Sequence, residues 1–384
     1  MNILYISSSA DWHIDLWVKY FTKRHKVFLF SDKEDYLQAQ PYENVKVFLS
    51  TGILGRYLNL LNSKSQKLYQ LNKLISVKIF AKKIDTIIEE NSIDVVHAHS
   101  LYYGFLASFI SKNVPVIFTP MGSDIILNAQ KNYIYQFMAR RAFLKSKVVT
   151  GDSQLLRKMG YKLGARKNDN FIIQNGVDTT IFYPKKLTKK IIQKKNDEIL
   201  IFSPRGMMPV YNIDIIIKAF KSLIDEGLGL KLMICFPFGN NYGDEMKAKI
   251  NEYGLNEKVI WLSKLTYLEM ANCYNMADIV VSVPSSDSSP KSVYEAMFCG
   301  KPVVVSDLEW SYENFNKKKC FERVKVRDVI SLSSSLRKLI NNESLRDELS
   351  VNAIEEVSKK FSYQKNMEKM ETIMRNIQQT QTLS

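Results

Sequence analysis

The chain has 384 residues, of which 46% are hydrophobic and 24% are charged, and its formal net charge is +15. This length favours two domains over one core, and its apolar runs fall short of the roughly 18 to 20 residues that cross a bilayer. The first residues carry neither a basic segment nor a long apolar stretch, so we predict no secretory signal and expect a cytoplasmic protein.

Short β-rich runs alternate with helical stretches along the first half of the chain. The first predicted strands are residues 2–6, 27–30 and 45–49, and a long helix is predicted at about 65 to 90. Four further strands are predicted in the runs DVVHAHS, VPVIFTP, KVVTGDS and FIIQNGVD. Alternation of this kind is typical of a parallel sheet covered by helices on both faces. Residues 1–182 are therefore predicted to form one Rossmann-like domain.

A second domain is predicted after a polar, lysine-rich connection. Residues 183–198 have the composition of a surface linker without a core of their own. Strand and helix patterns then resume over residues 199–360, and residues 361–384 are predicted to form a terminal helix with one apolar stripe. Two Rossmann-like domains place the expected site in the cleft between them, at the carboxyl ends of their strands.

Positive charge is concentrated in the first half of the chain. Residues 1–184 hold 24 Lys and Arg against 14 Asp and Glu, whereas the remainder holds 30 against 25. Residues 112–167 alone contain eleven basic and two acidic residues. Such a surface attracts anions such as lipid head groups or phosphorylated substrates; the alternative is an ordinary solvated, lysine-rich surface. No zinc knuckle, helix-turn-helix or aromatic RNA-binding signature indicates nucleic acid.

The most informative stretch is VPSSDSSPKSVYEAMFCGKPVVVSD, residues 283–307. An apolar strand leads through small polar residues into a predicted short helix. We predict Ser289 as the capping residue, Pro290 at the first helical position and Gly300 as the left-handed residue after the last turn. The start of such a helix exposes unpaired N–H groups and partial positive charge, which suit a phosphate.

Two acids lie eight residues apart around the start of this helix. Asp287 precedes it and Glu295 lies in its second turn, so the two carboxylates could contact groups on either side of a diphosphate. The alternative is an ordinary capped helix with two surface acids.

With these motifs, and with TPMGSDI, IIQNGVDTTIFYP and SPRGMMPVYN in the same order, the chain resembles the retaining nucleotide-sugar glycosyltransferases of family 4. The resemblance extends over nearly the whole length. It implies the GT-B fold, an α/β architecture of two Rossmann-like domains facing each other across a cleft, with the terminal helix returning to the first domain. It also implies transfer of a hexosyl group from a nucleotide diphosphate sugar to an acceptor hydroxyl with retention, without a metal or other cofactor. No D-x-D pair for a metal is present.

The resemblance assigns roles on the donor side. Arg205 would bind the donor diphosphate and Asp287 would contact the transferred sugar, and these two are the predicted catalytic residues. Glu295 would hold the ribose, and the backbone N–H groups of Ser292 and Val293 would bind the phosphates. The predicted donor-binding set is Glu295, Ser292, Val293, Ser289 and Tyr211.

The acceptor or sugar side is assigned to residues of the first domain: Ser8, Ser9, His13, His99 and Met121. His97 and His99 fall on one face of a strand, where lining the cleft and packing inside the domain are both open. Three positions depart from the family pattern, because Met121 replaces a common His, Tyr211 a usual Lys and Asp287 a usual Glu. We interpret these departures as marks of a subclass.

The predicted acceptor is a glycan, with a polyprenyl-linked glycan of cell-surface polysaccharide or glycolipid assembly as the specific expectation. Such an acceptor would bring the protein to the inner face of an anionic membrane as a peripheral protein. Two alternatives are a nucleotide-sugar epimerase of the same fold and a non-catalytic two-lobed sugar-binding protein.

Overall fold

The computed structural model describes residues 1–8, 12–31, 45–50, 66–122, 124–129, 133–186, 198–235, 241–315 and 317–382, and the backbone alone at 12–13, 66–74, 127–128 and 381–382. The chain divides into two compact units. The first contains Met1–Asn175 and Lys365–Ser384, and the second contains Gly176–Gln364. The division thus falls seven residues before the sequence-based boundary at 182 (182 − 175 = 7).

The first unit is built on a parallel sheet whose described strands follow the order β3-β2-β1-β4-β5-β6-β7. The strands are β1 (Asn2–Ile6), β2 (Lys26–Ser31), β3 (Val45–Leu49), β4 (Val95–His99), β5 (Val116–Thr119), β6 (Val148–Gly151) and β7 (Asn170–Ile172). Each lies within or beside a predicted run, but β7 is shorter than its run. Its continuation leaves the sheet, because the Gln174 N–H donates to Asn366 Oδ1 and Val177 bridges to Ser362.

Helices cover both faces of this sheet. They are α1 (Trp12–Phe21), α2 (Gln66–Glu90), α3 (Leu101–Ala107), the π-helical turn Asp124–Asn128, α4 (Tyr133–Lys145), α5 (Gln154–Leu163) and, from Lys365 on, the last helix α13 (Tyr363–Thr382). Helices α2 to α5 share one apolar core with the sheet. On the other face, Tyr5 of β1 packs against Phe21 of α1.

The last helix buries the stripe that its sequence predicts. Met367, Met370 and Met374 are fully buried, and Ile377 nearly so. Glu371, on the same helix, forms an ion pair with Arg24 and a hydrogen bond with His25, three and four residues beyond the end of α1. The apolar stripe and this ionic contact hold α13 within the first unit.

The second unit repeats the architecture on a parallel sheet with the described order β10-β9-β8-β11-β12-β13. The strands are β8 (Ile199–Ser203), β9 (Leu230–Cys235), β10 (Val259–Leu262), β11 (Ile279–Ser282), β12 (Val303–Ser306) and β13 (Glu322–Val324). The helices are the 3-10 turn Pro209–Tyr211, α6 (Ile213–Asp225), α7 (Asn241–Glu252), the 3-10 turn Asn256–Lys258, α8 (Tyr267–Met276), α9 (Lys291–Phe298), α10 (Glu309–Asn314), α11 (Val329–Ile340) and α12 (Glu343–Lys360). The prediction of two Rossmann-like α/β units is confirmed.

Two adjacent strands of the second sheet position the candidate site. β8 and β11 are neighbours, and the strand order reverses between them. In open α/β sheets, the carboxyl ends of strands at such a reversal form the usual ligand-binding crevice. Among the described helices of both units, none has the length and apolar character that crossing a membrane requires.

Candidate functional site

The loops that follow β8 and β11 bring the two predicted catalytic residues together. Arg205 lies two residues beyond the end of β8, and Asp287 lies five beyond the end of β11. Their side chains form an ion pair with 3.0 Å between Arg205 Nη2 and Asp287 Oδ2. The side chains are only 15% and 13% exposed, so water screens this pair less than a surface pair.

Two further contacts fix the plane of the Arg205 guanidinium. Nη1 donates to Ser292 Oγ at 3.2 Å. The ring of Tyr211 lies against the flat face, with 4.1 Å between Arg205 Cζ and the ring centroid. Tyr211 therefore supplies a cation–π contact where the resembled family usually has a second cation. The guanidinium is therefore held by an ion pair at Nη2, a hydrogen bond at Nη1 and an aromatic ring against its face.

Asp287 also shapes the turn that leads into α9. Its Oδ1 accepts the N–H groups of Ser288 at 2.9 Å and Ser289 at 3.2 Å. This local turn draws the Ser289 amide back towards Asp287.

The predicted start of the helix is therefore wrong by one residue. α9 begins at Lys291 with Pro290 as its N-cap, and it has no side-chain capping hydrogen bond, so Ser289 does not cap it. The predicted left-handed residue is confirmed, with φ of 68° at Gly300.

The first turn of α9 contains one backbone donor without a protein acceptor. The Val293 N–H, predicted to bind phosphate, already donates to the Pro290 carbonyl at 2.9 Å. Within the described ranges, the Ser292 N–H has no such partner. Its side chain is the one that Arg205 contacts, so this donor and the guanidinium lie side by side.

Glu295 is buried beneath the same turn. The Tyr274 hydroxyl lies 3.1 Å from Glu295 Oε2 and 2.9 Å from the Ser292 carbonyl oxygen, and Lys291 Nζ lies 3.9 Å from Glu295 Oε1. Burial raises the pKa of Glu295 above its ordinary value, although Lys291 and Tyr274 act in the opposite direction. The ammonium of Lys291 also lies 5.0 Å from the ring centroid of Tyr267.

Sequence reasoning missed Tyr274, Tyr267 and Lys291. The two tyrosines belong to α8, and only tertiary packing brings that helix beside α9. No local pattern connects the two.

Asn212 joins the two loops, and sequence reasoning missed this role too. Its backbone is left-handed, with φ of 53° and ψ of 42°, a conformation that Asn tolerates better than most residues. Its side-chain amide donates to the Val283 carbonyl at 2.8 Å and to Ser285 Oγ at 2.9 Å. Arg327 Nη1 donates to its Oδ1 at 2.8 Å. The fully buried Asn212 thus ties the Arg205 loop to the Asp287 loop.

The two histidines of β4 are buried inside the first unit. His97 and His99 have no exposed surface, and their ring centroids lie 4.2 Å apart. His97 Nε2 lies 2.7 Å from Thr119 Oγ1. Burial, helped by the neighbouring His99, lowers the pKa of His97 well below its ordinary value, so it is neutral near pH 7. Of the two possibilities left open by the sequence, lining a cleft or packing inside the domain, both histidines therefore fit the second.

The remaining residues of the predicted acceptor side are only partly described. Met121 is half-buried and donates its backbone N–H to Asp124 Oδ1 at 3.1 Å. Asp124 Oδ2 accepts the Leu101 N–H at 2.7 Å, and burial raises the pKa of Asp124 to about 6. Ser8 is half-buried. Ser9 and the side chain of His13 lie outside the described residues.

Over the described part of the chain, no three His, Cys, Asp or Glu side chains come together in a group that could hold a metal ion. Positive charge near Asp287 and Glu295 comes from Arg205, Lys291 and the start of α9.

Both halves of the chain match glycosyltransferase family models. Residues 2–153 match glycosyl transferase 4-like proteins and residues 184–356 match glycosyl transferases group 1. Capsular polysaccharide biosynthesis glycosyltransferase CapM of Staphylococcus aureus is 21% identical over 281 residues, 70% of this chain and 72% of that protein. Poly(ribitol-phosphate) alpha-N-acetylglucosaminyltransferase of S. aureus strain COL is 24% identical over 164 residues, 42% of this chain and 32% of that protein.

Solved structures share the fold over almost the whole chain. Sucrose-phosphate synthase from Thermosynechococcus elongatus is 14% identical with a TM-score of 0.79, covering 98% of this chain and 99% of that one. Anabaena HepE, solved with UDP and glucose, is 17% identical with a TM-score of 0.75, covering 98% of this chain and 100% of that one. This chain therefore belongs to the family-4-like glycosyltransferases and has the GT-B fold.

Proposed function

We propose that this glycosyltransferase moves a hexosyl group from a nucleotide diphosphate sugar to an acceptor hydroxyl, with retention of the anomeric configuration. The observation that carries the proposal is the position of Arg205. Its guanidinium is fixed by Asp287, Tyr211 and Ser292 at the start of α9, beside an amide without an acceptor. This arrangement suits the diphosphate of a donor.

The donor groups follow from the order of residues along α9. The diphosphate binds Arg205 and the Ser292 N–H, and the ribose hydroxyls bind Glu295, one helical turn further on. Asp287, on the opposite side of Arg205, contacts the transferred sugar. HepE, with which this chain shares its fold, was solved with UDP and glucose, which supports a UDP-hexose as the donor.

The chemistry proceeds by electrostatic stabilisation of the leaving group. As the bond to the anomeric carbon breaks, charge develops on the diphosphate, and Arg205 stabilises it without a metal. We assign neither carboxylate as a nucleophile, because Asp287 is ion-paired with Arg205 and accepts two turn amides, and Glu295 is assigned to the ribose. We therefore assign deprotonation of the acceptor hydroxyl to a diphosphate oxygen on the same face of the sugar, which gives retention.

The acceptor is a glycan that is carried on a polyprenyl diphosphate at the cytoplasmic face of the membrane. Two observations support this assignment. One relative is a capsular polysaccharide biosynthesis glycosyltransferase, and residues 112–167 of the first unit carry eleven basic residues against two acidic ones. Ser8, Ser9, His13 and Met121 remain proposals for the acceptor side.

A thermal-shift panel tests the donor assignment. UDP-hexoses should raise the melting temperature of the protein, in proportion to their affinity, more than GDP- or ADP-hexoses do. The shift should survive EDTA and should disappear in Arg205→Ala. Equal shifts in wild type and Arg205→Ala would place the nucleotide elsewhere, and loss of the shift with EDTA would contradict a metal-independent site.

A further inference from the structure

Helix α4 of the first unit exposes a row of large apolar side chains. Tyr133 is 88% exposed, Phe137 60% and Leu144 55%. At 3.6 residues per turn, these three positions lie within a sector of about 40°, and Ile134, 53% exposed, lies beside them. Single exposed apolar residues are common on protein surfaces, but several on one side of one helix indicate an interaction site.

Basic side chains flank this row. Arg140 and Lys145 are exposed, and the sequence of α4, YIYQFMARRAFLK, contains no acid. We call the exposed side chains of Tyr133, Ile134, Phe137, Arg140, Leu144 and Lys145 the α4 surface. An apolar centre with cationic flanks is the pattern of helices that lie at the interface of an anionic membrane.

The opposite side of α4 anchors the helix to the unit. Met138, Ala139, Ala142 and Phe143 are buried. On the side of the exposed row, Arg141 ties α4 to α3 and the residues after it: its Nε donates to Ser108 Oγ at 3.0 Å, and its guanidinium lies 4.0 Å from the ring centroid of Phe109. The α4 surface is therefore presented by a helix that is packed against the rest of the first unit.

A neighbouring helix shows the same combination. On α2, Ile75 is 63% exposed and Ile79 is 53% exposed, with exposed Lys78 and Lys82 between and beside them. Helices α2 and α4 belong to the layer on one face of the first sheet.

The second unit differs in this respect. Among its described residues, the exposed large apolar side chains fall one to an element, for example Leu268 on α8, Ile330 on α11 and Val351 on α12. The apolar row with basic flanks is thus a feature of the first unit.

We propose that the α4 surface docks the first unit onto an anionic membrane. The apolar side chains enter the head-group region, and Arg140 and Lys145 meet the lipid phosphates. α4 begins four residues after Ala129, in the segment that follows β5 and contains Met121, so docking would place this end of the first sheet near a lipid-linked acceptor. That consequence rests on the proposed function, whereas the binding of lipid does not.

Vesicle sedimentation tests the proposal with the full-length protein. Wild type should sediment with phosphatidylcholine vesicles that contain phosphatidylglycerol, and less with phosphatidylcholine alone. Tyr133→Ser with Phe137→Ser should lower this partition by about tenfold or more, and so should Arg140→Glu with Lys145→Glu. The UDP-induced thermal shift of both variants should equal that of wild type, which separates failure of docking from failure of the donor site.

Controls in the second unit match each change. Ile330→Ser with Val351→Ser removes comparable exposed apolar surface, and Lys218→Glu with Lys264→Glu changes the net charge equally at exposed sites. Both should sediment like wild type. Three results would overturn the proposal: no preference of wild type for anionic vesicles, equal losses in the controls, or a wild-type dimer in sedimentation velocity that Tyr133→Ser with Phe137→Ser converts to monomer without changing vesicle binding.

Discussion

The two units share an architecture but differ in what they place at the carboxyl ends of their central strands. In the second unit, the loops after β8 and β11 carry a partly exposed arginine, two carboxylates and the start of α9. In the first unit, the corresponding end of β4 carries two fully buried histidines, and burial lowers the pKa of one of them, His97, well below its ordinary value. The second unit fixes a cation, Arg205, inside the site, whereas the first unit presents basic side chains on the outer surfaces of α2 and α4.

Under the proposed function, this difference divides donor binding and acceptor binding between the two units. A diphosphate that develops charge during transfer requires cations that are already oriented, because reorienting solvent or side chains would cost free energy in the transition state. A lipid-linked acceptor requires capture at a surface, for which exposed cations and apolar side chains suffice. The predictions below test whether the charges of the second unit are organised for catalysis and those of the first are not.

The largest effect is expected from Arg205→Ala. Loss of the guanidinium should lower kcat by about 10²–10³-fold, the range seen when one preorganised donor to a developing charge is removed. Transfer from the donor can be followed by release of the nucleotide diphosphate. Arg337→Ala is the matched control, because it removes a second-unit arginine that pairs with Glu226 at the surface. Equal activity of Arg205→Ala and wild type would contradict the claim that the charges of the second unit are organised for catalysis.

Glu295→Gln should weaken nucleotide binding without lowering the stability of the folded protein. Loss of the carboxylate should weaken nucleotide binding by about tenfold or more, as expected for hydrogen bonds to a charged group. Burial raises the pKa of Glu295, so its charged form costs stability as pH rises through that pKa. The variant should therefore unfold at the same or a higher temperature than wild type at pH 8, by differential scanning calorimetry.

Glu322→Gln is the matched control for that variant, because Glu322 is also a buried acid but its pKa is shifted in the opposite direction. Burial alone would raise its pKa, but Lys319 and Lys338 hold the pKa below its ordinary value. This carboxylate stabilises the fold above its unfolded-state pKa. Glu322→Gln should therefore lower the melting temperature at pH 8 without weakening nucleotide binding, and a stabilised Glu322→Gln would contradict this reading.

Asn212→Gly tests the connection between the two loops. Glycine keeps the left-handed backbone but removes an amide that contacts Val283, Ser285 and Arg327. We expect a loss of about 1–3 kcal/mol in the free energy of unfolding. We also expect a fall in kcat, because Arg205 and Asp287 lose their common support. Chemical denaturation and steady-state kinetics measure the two effects, and a variant that loses stability but keeps kcat would show that Asn212 does not position the site.

The smallest effect is expected from Asp124→Asn in the first unit. Burial raises the pKa of Asp124 to about 6, so wild type should lose stability relative to the variant as pH rises from 4 to 7, by about 1–3 kcal/mol. Denaturation across this pH range measures the difference. Asp94→Asn, which removes another carboxylate that accepts a backbone N–H, should keep the wild-type dependence because Asp124 is still present. A constant difference between wild type and Asp124→Asn would contradict the raised pKa.

Much of the fold could be predicted because its signals are local. Alternating apolar strands and helical stretches identified both sheets, and the start of β1 and the span of β3 agree with the structure to the residue. Gly300 was predictable because few other residues adopt a positive φ without strain. The run FIIQNGVD was predicted as a strand but only its start lies in β7, because Gln174 and Val177 bond to distant residues that no local pattern shows.

The two acids and the arginine of the site could be predicted from the sequence, but the residues that support them could not. Ser289 has the chemistry of a capping residue, yet Asp287 two residues earlier takes its amide. Val293 was expected to offer its N–H, but Pro290 as N-cap places its carbonyl within reach. Tyr211 looked like the loss of a cation, whereas in the structure it supports Arg205. Each difference arises from a competing hydrogen bond or a tertiary contact.

A crystal structure with UDP tests the central claim most directly. The pyrophosphate should lie within hydrogen-bond distance of the Arg205 guanidinium and the Ser292 N–H, with the ribose hydroxyls on Glu295. A nucleotide bound away from α9, or one whose phosphates contact neither Arg205 nor Ser292, would contradict the account.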